Sequence, residues 1–277
     1  MINNSIPAVS VVMPSYNASN YIALAIESIL KQTYKDFEFI IIDDCSTDNT
    51  LGIIEKYAIK DNRIIVVKNN VNLNIAKSRN KGVNLSRGKY IMTMDADDIA
   101  EQSRISNQFR FLQKHKDIGV CIGNMKIIDK DSKFLYKRFY PKTDDAIKAS
   151  IYKFNPFPNP TIMARREVYD KVGEYDHKYV PIDDFDFWLR AGKFFKFANV
   201  EKFVLKYRII GDSNSHKNLK KTDKLTFQLR WKALVELKYK FTFFDILYNC
   251  GHLFVFLFFS TKMEIRLFNF LRKSKIL

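Results

Sequence analysis

Through the first hundred residues, short apolar runs alternate with segments of helical periodicity. Residues 9–13, 37–42, 64–67 and 89–94 are runs of strand length rich in Val, Ile and Phe, as expected of strands buried on both faces of a sheet. Between the first two, Tyr21, Leu24, Ala25, Ser28 and Ile29 fall on one helical face, with Ser19 or Asn20 placed to cap the helix. Leu51, Ile54 and Ala58 repeat that spacing, and a third helix is expected over 75–85. Strand and helix alternating in short units predict a parallel sheet with right-handed crossovers. Beyond residue 98 the pattern loosens into a helix over 102–114, strands over 119–128 and 134–139, and a helix over 144–152. Short helices are expected over 166–172 and 182–191, and short strands over 195–197 and 203–207. Pro156, Pro158 and Pro160 alternate with other residues, so 155–160 is expected to be a rigid loop without regular structure.

The predicted strands end on chemistry. The run 89–94 passes into Asp95, Asp97 and Asp98, the run 37–42 into Asp43-Asp44, and the run 9–13 into Pro14-Ser15-Tyr16-Asn17. Open α/β sheets bind ligands outside the carboxyl ends of their strands. Alone, an Asp-x-Asp is most often a solvated turn. Two such carboxylates can also share a hard divalent cation that keeps further positions for phosphate oxygens. Tyr16 is placed to pack on a base, and one of Asp43 and Asp44 to accept a hydrogen bond from a base or ribose. Arg79, near the start of a helix, offers a planar fork for a diphosphate or for orienting the acids. Phe185, Trp188 and Leu189 form a buried stripe that leaves Asp183 and Asp184 at the start of their helix, facing the cleft. A carboxylate there can serve as general base to a hydroxyl too weakly acidic to attack unaided.

Composition adds a compartment and a surface. Three cysteines, Cys45, Cys121 and Cys250, are too few and too scattered for a disulfide framework, which points to a reducing cytoplasm. Residues 1–8 lack a basic segment, and no signal peptide is expected. The net charge of +16 is uneven: residues 201–277 hold 16 of the 46 Lys/Arg but only 6 of the 30 Asp/Glu. A basic tail implies an anionic partner, either nucleic acid or the inner leaflet of a membrane. Residues 217–240 mix basic and apolar residues at spacings compatible with an amphipathic helix. Residues 241–260 are aromatic and apolar but interrupted by Asp245, Asn249 and His252. Their cleanest stretch, 253–259, is far short of the roughly 20 residues that span a bilayer. The tail is expected either to lie in the interface of an anionic leaflet or to pack on the main domain or on a second copy.

Four segments then line up in order: Val-Val-Met-Pro-Ser-Tyr-Asn at 11–17, Ile-Ile-Asp-Asp-Cys-Ser-Thr-Asp at 41–48, Ala-Lys-Ser-Arg-Asn-Lys-Gly at 76–82, and Met-Asp-Ala-Asp-Asp at 94–98. A fifth, Ile-Asp-Asp-Phe-Asp-Phe-Trp-Leu-Arg, follows at 182–190. Together they resemble the family-2 glycosyltransferases, inverting enzymes of the GT-A fold that use nucleotide-sugar donors. The resemblance implies a Rossmann-like, mostly parallel α/β sheet with flanking helices over residues 1–215. Residues 1–98 would be its nucleotide-binding half and 99–215 its acceptor-side half, with a helical tail over 216–277. It assigns Pro14, Ser15, Tyr16, Asn17, Asp43, Asp44, Asn72, Arg79, Asp95 and Ala96 to the nucleotide sugar. Asp97 with Asp95 would hold Mn²⁺ or Mg²⁺, and Asp184 would be the base, with Asp183 where the family commonly has glutamate. The loop 155–160 and the residues after it resemble the family's acceptor-side segment.

Two positions depart from the family's pattern. Asn74 stands where glycine is usual, and Ile210 where many members carry a histidine of the metal or diphosphate site; His216 is the nearest substitute. The implied function is transfer of a sugar, a UDP-sugar being the favoured donor, to a hydroxyl of a glycan or lipid-linked saccharide in surface-polysaccharide synthesis. It would take place at the inner face of the cytoplasmic membrane, with no nucleic acid partner and with a homo-oligomer left open. Two rivals come from other classes. A polyanion- or nucleic-acid-binding protein explains the charge but not three carboxylate clusters at element ends, which repel phosphate unless a metal intervenes. A catalytically inactive scaffold of the same fold is the other, motivated by Ile210.

Overall fold

The computed structural model describes residues 6–210, 219–259 and Met263. Four parallel strands come first: β1 (Val9–Ser15), β2 (Phe37–Asp43), β3 (Ile64–Lys68) and β4 (Tyr90–Thr93), in spatial order β3-β2-β1-β4. Every residue of β1, β2 and β4 is buried, which is why they read as unbroken runs rather than alternating ones. Ser15 pairs with Asp43 and Val12 with Thr93, so the polar residues after β1, β2 and β4 emerge at one edge.

Helices α1 (Ile22–Leu30), α2 (Thr50–Ala58) and α3 (Ile75–Leu85) make the crossovers. At Gly82 of α3 an added Cβ would lie 2.5 Å from Val12 Cγ1 and 2.6 Å from Ile42 Cδ1. Only glycine allows α3, and with it Arg79, to sit this close to the sheet. Helix α1 departs from expectation. It starts at Ile22, with Tyr21 as N-cap and no side-chain cap: the Tyr21 and Ile22 amides donate to Ala18 O, both at 2.9 Å, and the Ala18 and Ser19 amides are held by Thr50 Oγ1 (2.8 Å) and Asp48 Oδ2 (3.1 Å). Ile22, Ala25, Ile26, Ser28 and Ile29 form its buried face, and Leu24 is left 45% exposed.

The second half completes the sheet. After β5 (Ile99–Ala100) and α4 (Arg104–Lys114) come β6 (Ile118–Ile128), β7 (Phe134–Arg138), α5 (Asp144–Ala149), β8 (Met163–Arg165), α6 (Arg166–Val172), α7 (Asp183–Ala191) and β9 (Lys196–Arg208). The order continues β4-β8-β6-β9-β5, with β7 on β6. Strand β8 is antiparallel to both β4 and β6, while β9 runs parallel to β6. The two expected strands at 195–197 and 203–207 are one strand. Its polar middle is absorbed by register shifts against β6 and by Glu201 at φ 55°, an irregularity that leaves no apolar trace in sequence. Strands β5 and β8 are too short to show as apolar runs. Asn159–Thr161 forms a single 3₁₀ turn with proline in its first turn, where a missing N–H costs nothing.

Beyond residue 218, α8 (Leu219–Val235) and α9 (Phe243–Phe258) follow. Leu229 and Ala233 are buried in the same cluster as Phe185, Trp188 and Phe197. Lys232 Nζ meets Asp186 Oδ1 of α7 at 2.7 Å. Arg230 donates to Lys153 O and Asn249 Oδ1, both at 3.0 Å, and Asn249 donates to Tyr152 O. Thus α8 docks on the main domain and α9 is tied to α8. The Asp245 and His252 side chains of α9 are buried, whereas Phe243, Phe244, Leu247, Phe254, Leu257 and Phe258 are exposed. Among the described residues no helix is long and apolar enough to cross a membrane.

Candidate active site

A cleft of about 780 Å³ opens at the carboxyl ends of β1, β2 and β4. Pro14, Ser15, Tyr16 and Asn17 form one wall, Asp44 and Asn72 the next, and Asp95, Ala96 and Asp97 its floor. Arg79 joins from α3, and Asp183 and Asp184 close it from the start of α7. The motifs that sequence scatters over 170 residues therefore meet in one cavity. Asp43 does not line it: its Oδ2 accepts the Ser46 amide at 3.1 Å, and its Oδ1 is buried without a partner among the described residues. Asp44 occupies the wall, its Oδ1 accepting from Asn69 Nδ2 (2.8 Å) and the Leu73 amide (2.9 Å). Adjacent residues of a strand point to opposite faces, so one of the two had to turn away. His216 lies outside the described residues.

The loops around the cleft are shaped by polar clasps. Asn17, at φ 48°, accepts the Thr47 amide at 2.8 Å on its side-chain oxygen. Asp48 receives both Ser19 and Thr50. Burial opposes its ionisation, but these hydrogen bonds win and hold its carboxyl down at about 2. Asn74 sits at φ 78°, ψ 165°, a region that is nearly glycine's alone. The departure from glycine has a compensation, since the Asn74 side chain caps α3 by accepting the Ala76 and Lys77 amides.

Arg79 reaches across to α7. Its Nη1 lies 2.5 Å from Asp183 Oδ2, both side chains being 5% exposed or less, and its guanidinium stacks 4.8 Å from the Tyr175 ring centroid. This pair leaves Asp184 as the acid of α7 that is still partly open to the cleft. Burial and the charge of Asp183 push the Asp184 carboxyl up to about 7, against the pull of Arg79 and of the hydrogen bond from the Phe185 amide. On the floor, burial and then the Asp95 charge raise Asp97 to about 6; burial also raises Asp95 itself. Asp98 turns inward, accepting the Arg208 amide at 2.8 Å.

Two arginines hold this floor. Arg104, wholly buried, donates to Thr93 O at 2.8 Å, and Arg208 donates to Asp97 O at 2.8 Å while lying over the Tyr21 ring at 4.5 Å. Neither was singled out from sequence, because an arginine in a helix or strand reads as a surface residue until its burial is seen. Asn159 was visible only as part of the proline-rich loop. It accepts Trp188 Nε1 at 3.1 Å and, on its backbone oxygen, the Thr93 hydroxyl, linking α7 to β4 at the cleft.

Among the described residues no three His, Cys, Asp or Glu are grouped to hold a metal ion, and Ile210 lines the cleft where the family's histidine would stand. The chain offers two carboxylates, Asp95 and Asp97, whose shared negative charge is disfavoured in the absence of a cation. Mg²⁺-type sites commonly use one or two carboxylates plus substrate phosphates, so the donor set fits a cation that a diphosphate helps to bind.

A mixed sheet with a parallel first half, and a cleft lined with acids at the carboxyl ends of those strands, is an arrangement of the GT-A type. Residues 10–173 match the model of glycosyl transferase family 2, and the chain belongs to that family. It is 40% identical over 235 residues to an uncharacterised glycosyltransferase of Methanocaldococcus jannaschii, covering 82% of this chain and 80% of that one. It is 32% identical to a UDP-Glc:α-D-GlcNAc-diphosphoundecaprenol β-1,3-glucosyltransferase of Escherichia coli, covering 76% and 81%. In fold it is similar to a mannosyltransferase of Pyrobaculum calidifontis solved with GDP-Man and Mn²⁺, with a TM-score of 0.64 and 17% identity over 83% of this chain and 65% of that one.

Proposed function

We propose that the protein is a metal-dependent inverting glycosyltransferase that moves a sugar from a nucleotide-diphosphate donor to a hydroxyl of a lipid-linked saccharide in surface-polysaccharide synthesis. The observation that carries this reading is the division of the cleft between the Asp95/Asp97 floor and Asp184. Donor base and ribose would lie against Tyr16 and Asp44, with Arg79 and Asn72 behind the diphosphate. A divalent cation bound by Asp97 and Asp95 would supply Lewis-acid stabilisation of the leaving diphosphate. Asp184 would take the proton of the acceptor hydroxyl as that oxygen attacks the anomeric carbon and the bond to the diphosphate oxygen breaks. A single base without a nucleophilic partner suits one in-line displacement, hence inversion. Support for a UDP-sugar and a diphospholipid-linked acceptor comes from the E. coli relative, whose name states both.

The test is transfer and donor hydrolysis with Mn²⁺ and with EDTA. Asp97→Asn is expected to abolish the stabilisation of the fold by UDP plus Mn²⁺, read as a thermal shift, while leaving the metal-free melting temperature unchanged or raised, because it removes a destabilised charge. Metal-independent transfer at wild-type rate would sink the reading.

The reading places the enzyme at the inner face of the membrane. Helix α9 has 16 residues, about 24 Å at 1.5 Å per residue, too short to cross a hydrocarbon core of about 30 Å. Its exposed phenylalanines and leucines are the kind of apolar surface that marks an interaction or membrane site, and Lys238 and Lys240 precede it. Wild-type protein is expected to float with phosphatidylglycerol vesicles at low salt and not with phosphatidylcholine. The double variant Leu247→Asp/Phe254→Asp should remain with the unbound protein. Equal flotation of wild type and variant would remove the membrane from the proposal.

A further inference from the structure

The buried Asp223, Arg230 and His252 join α8 to α9, while the first turn of α8 brings a lysine to the cleft.

Lys221, in the first turn of α8, lines the same cleft as Asp95, Asp97, Arg79 and Ile210. Among the described residues, the other cations lining that cleft already hold protein partners: Arg79 pairs with Asp183 through Nη1, and Arg208 donates to Asp97 O, Asp129 O, Lys130 O and Ser132 Oγ through Nε and Nη1, leaving only its buried Nη2 without a partner. Lys221 is exposed and forms no hydrogen bond or ion pair among the described residues. Its place is also fixed from behind. Leu229 and Ala233 are buried against the cluster that holds Phe185 and Trp188, and Lys232 pairs with Asp186 one turn along the helix that bears Asp183 and Asp184. Helix α8 is thus in register with the catalytic edge of α7, and its first turn reaches the cavity.

The cleft needs such a charge. Its walls carry Asp44, Asp95, Asp97, Asp183 and Asp184, and a donor diphosphate adds further negative charge that grows on the leaving group as the sugar departs. The lining of the cleft also includes the apolar Ile210. An ammonium on a flexible four-carbon stem is a compact point charge suited to phosphate oxygens and able to follow them. We propose that Lys221, contributed by the tail, binds the diphosphate of the donor and of the nucleotide product, so that α8 is part of the donor site. The inference rests on the glycosyltransferase reading and deepens it.

The experiment measures UDP, GDP and uridine binding to the full-length protein with Mn²⁺, comparing wild type with Lys221→Met, Lys221→Arg and Lys224→Met. Wild-type binding of UDP or GDP tests the donor-site reading itself, independently of the lysine. Loss of one charge-assisted phosphate contact is expected to weaken diphosphate binding by about tenfold in Lys221→Met. Uridine affinity should be unchanged, Lys221→Arg should keep most of the affinity, and Lys224→Met, on an exposed part of the same helix, should match wild type. In turnover, Lys221→Met should raise the donor KM and lower kcat. Diphosphate affinity unchanged in Lys221→Met, or an equal loss in Lys224→Met, would overturn the proposal, the second outcome by showing only a diffuse effect of the basic tail.

Discussion

Asp184→Asn is expected to reduce sugar transfer by about 10² to 10⁴-fold, the range that a positioned general base contributes, while UDP and Mn²⁺ still bind. The amide keeps the shape of the side chain and its place at the start of α7 but cannot accept the proton of the acceptor hydroxyl. Stability should move the other way. Burial and the adjacent Asp183 raise the Asp184 carboxyl to about 7, above its unfolded value, so its ionised form is disfavoured in the folded state. Replacing it with a neutral amide should leave the melting temperature at pH 8 equal or higher, which separates lost chemistry from lost fold. The sign for pH follows from the same shift. On the proposed mechanism the base works only when ionised, so kcat/KM in wild type should fall as pH drops through about 7, tenfold per unit, rather than through the ordinary carboxylate range near 4. A profile flat from pH 8 to 5.5, or full activity in Asp184→Asn, would move the base elsewhere. Nucleotide binding with no transfer or hydrolysis in either protein would favour the inactive scaffold.

Arg79→Met is expected to give the largest loss of stability of any single change in the cleft, roughly 3–5 kcal/mol, the usual effect of removing one partner of a buried ion pair. Asp183 would be left 2% exposed with its charge uncompensated, and the start of α7 would lose its tie to α3. Chemical denaturation of Arg79→Met and of Arg79→Met/Asp183→Asn distinguishes this from simple loss of packing. If the unpaired charge is the cause, the double variant should recover most of the loss. It should not recover activity, because Asp184 would then lack the neighbours that set both its orientation and its proton affinity. A single-variant loss below about 1 kcal/mol would mean that the pair behaves like an exposed salt bridge.

The parallel half of the sheet was legible because its strands are buried on both faces and announce themselves as unbroken apolar runs ended by acids, proline or asparagine. The mixed half was less so. Strands β5 and β8 are held by pairing partners distant in sequence, and β9 crosses a polar stretch by shifting register, so no local periodicity marks them. The face of α1 was misplaced for a similar reason. Asp48 and Thr50, 29 and 32 residues from their partners Ser19 and Ala18, hold the chain entering α1, and no local pattern records that contact.

By itself the sequence determined the family, the α/β architecture of its first half and the residue types of the site, because a buried strand and the carboxylates at its end are local patterns. Only the tertiary structure decided the surroundings of each acid of a pair. Asp44 rather than Asp43 faces the cleft, because Asp43 ends β2 with its side chain turned to the Ser46 amide and Asp44 follows it. Asp183 is neutralised by Arg79, 104 residues earlier, which leaves Asp184 to hold a proton near neutral pH. Long-range charge pairing and burial set those surroundings, and neither is written in the spacing of residues along the chain. The same holds for Lys221, which in sequence is one of sixteen tail cations and in space, among the described residues of α8, lines the cleft.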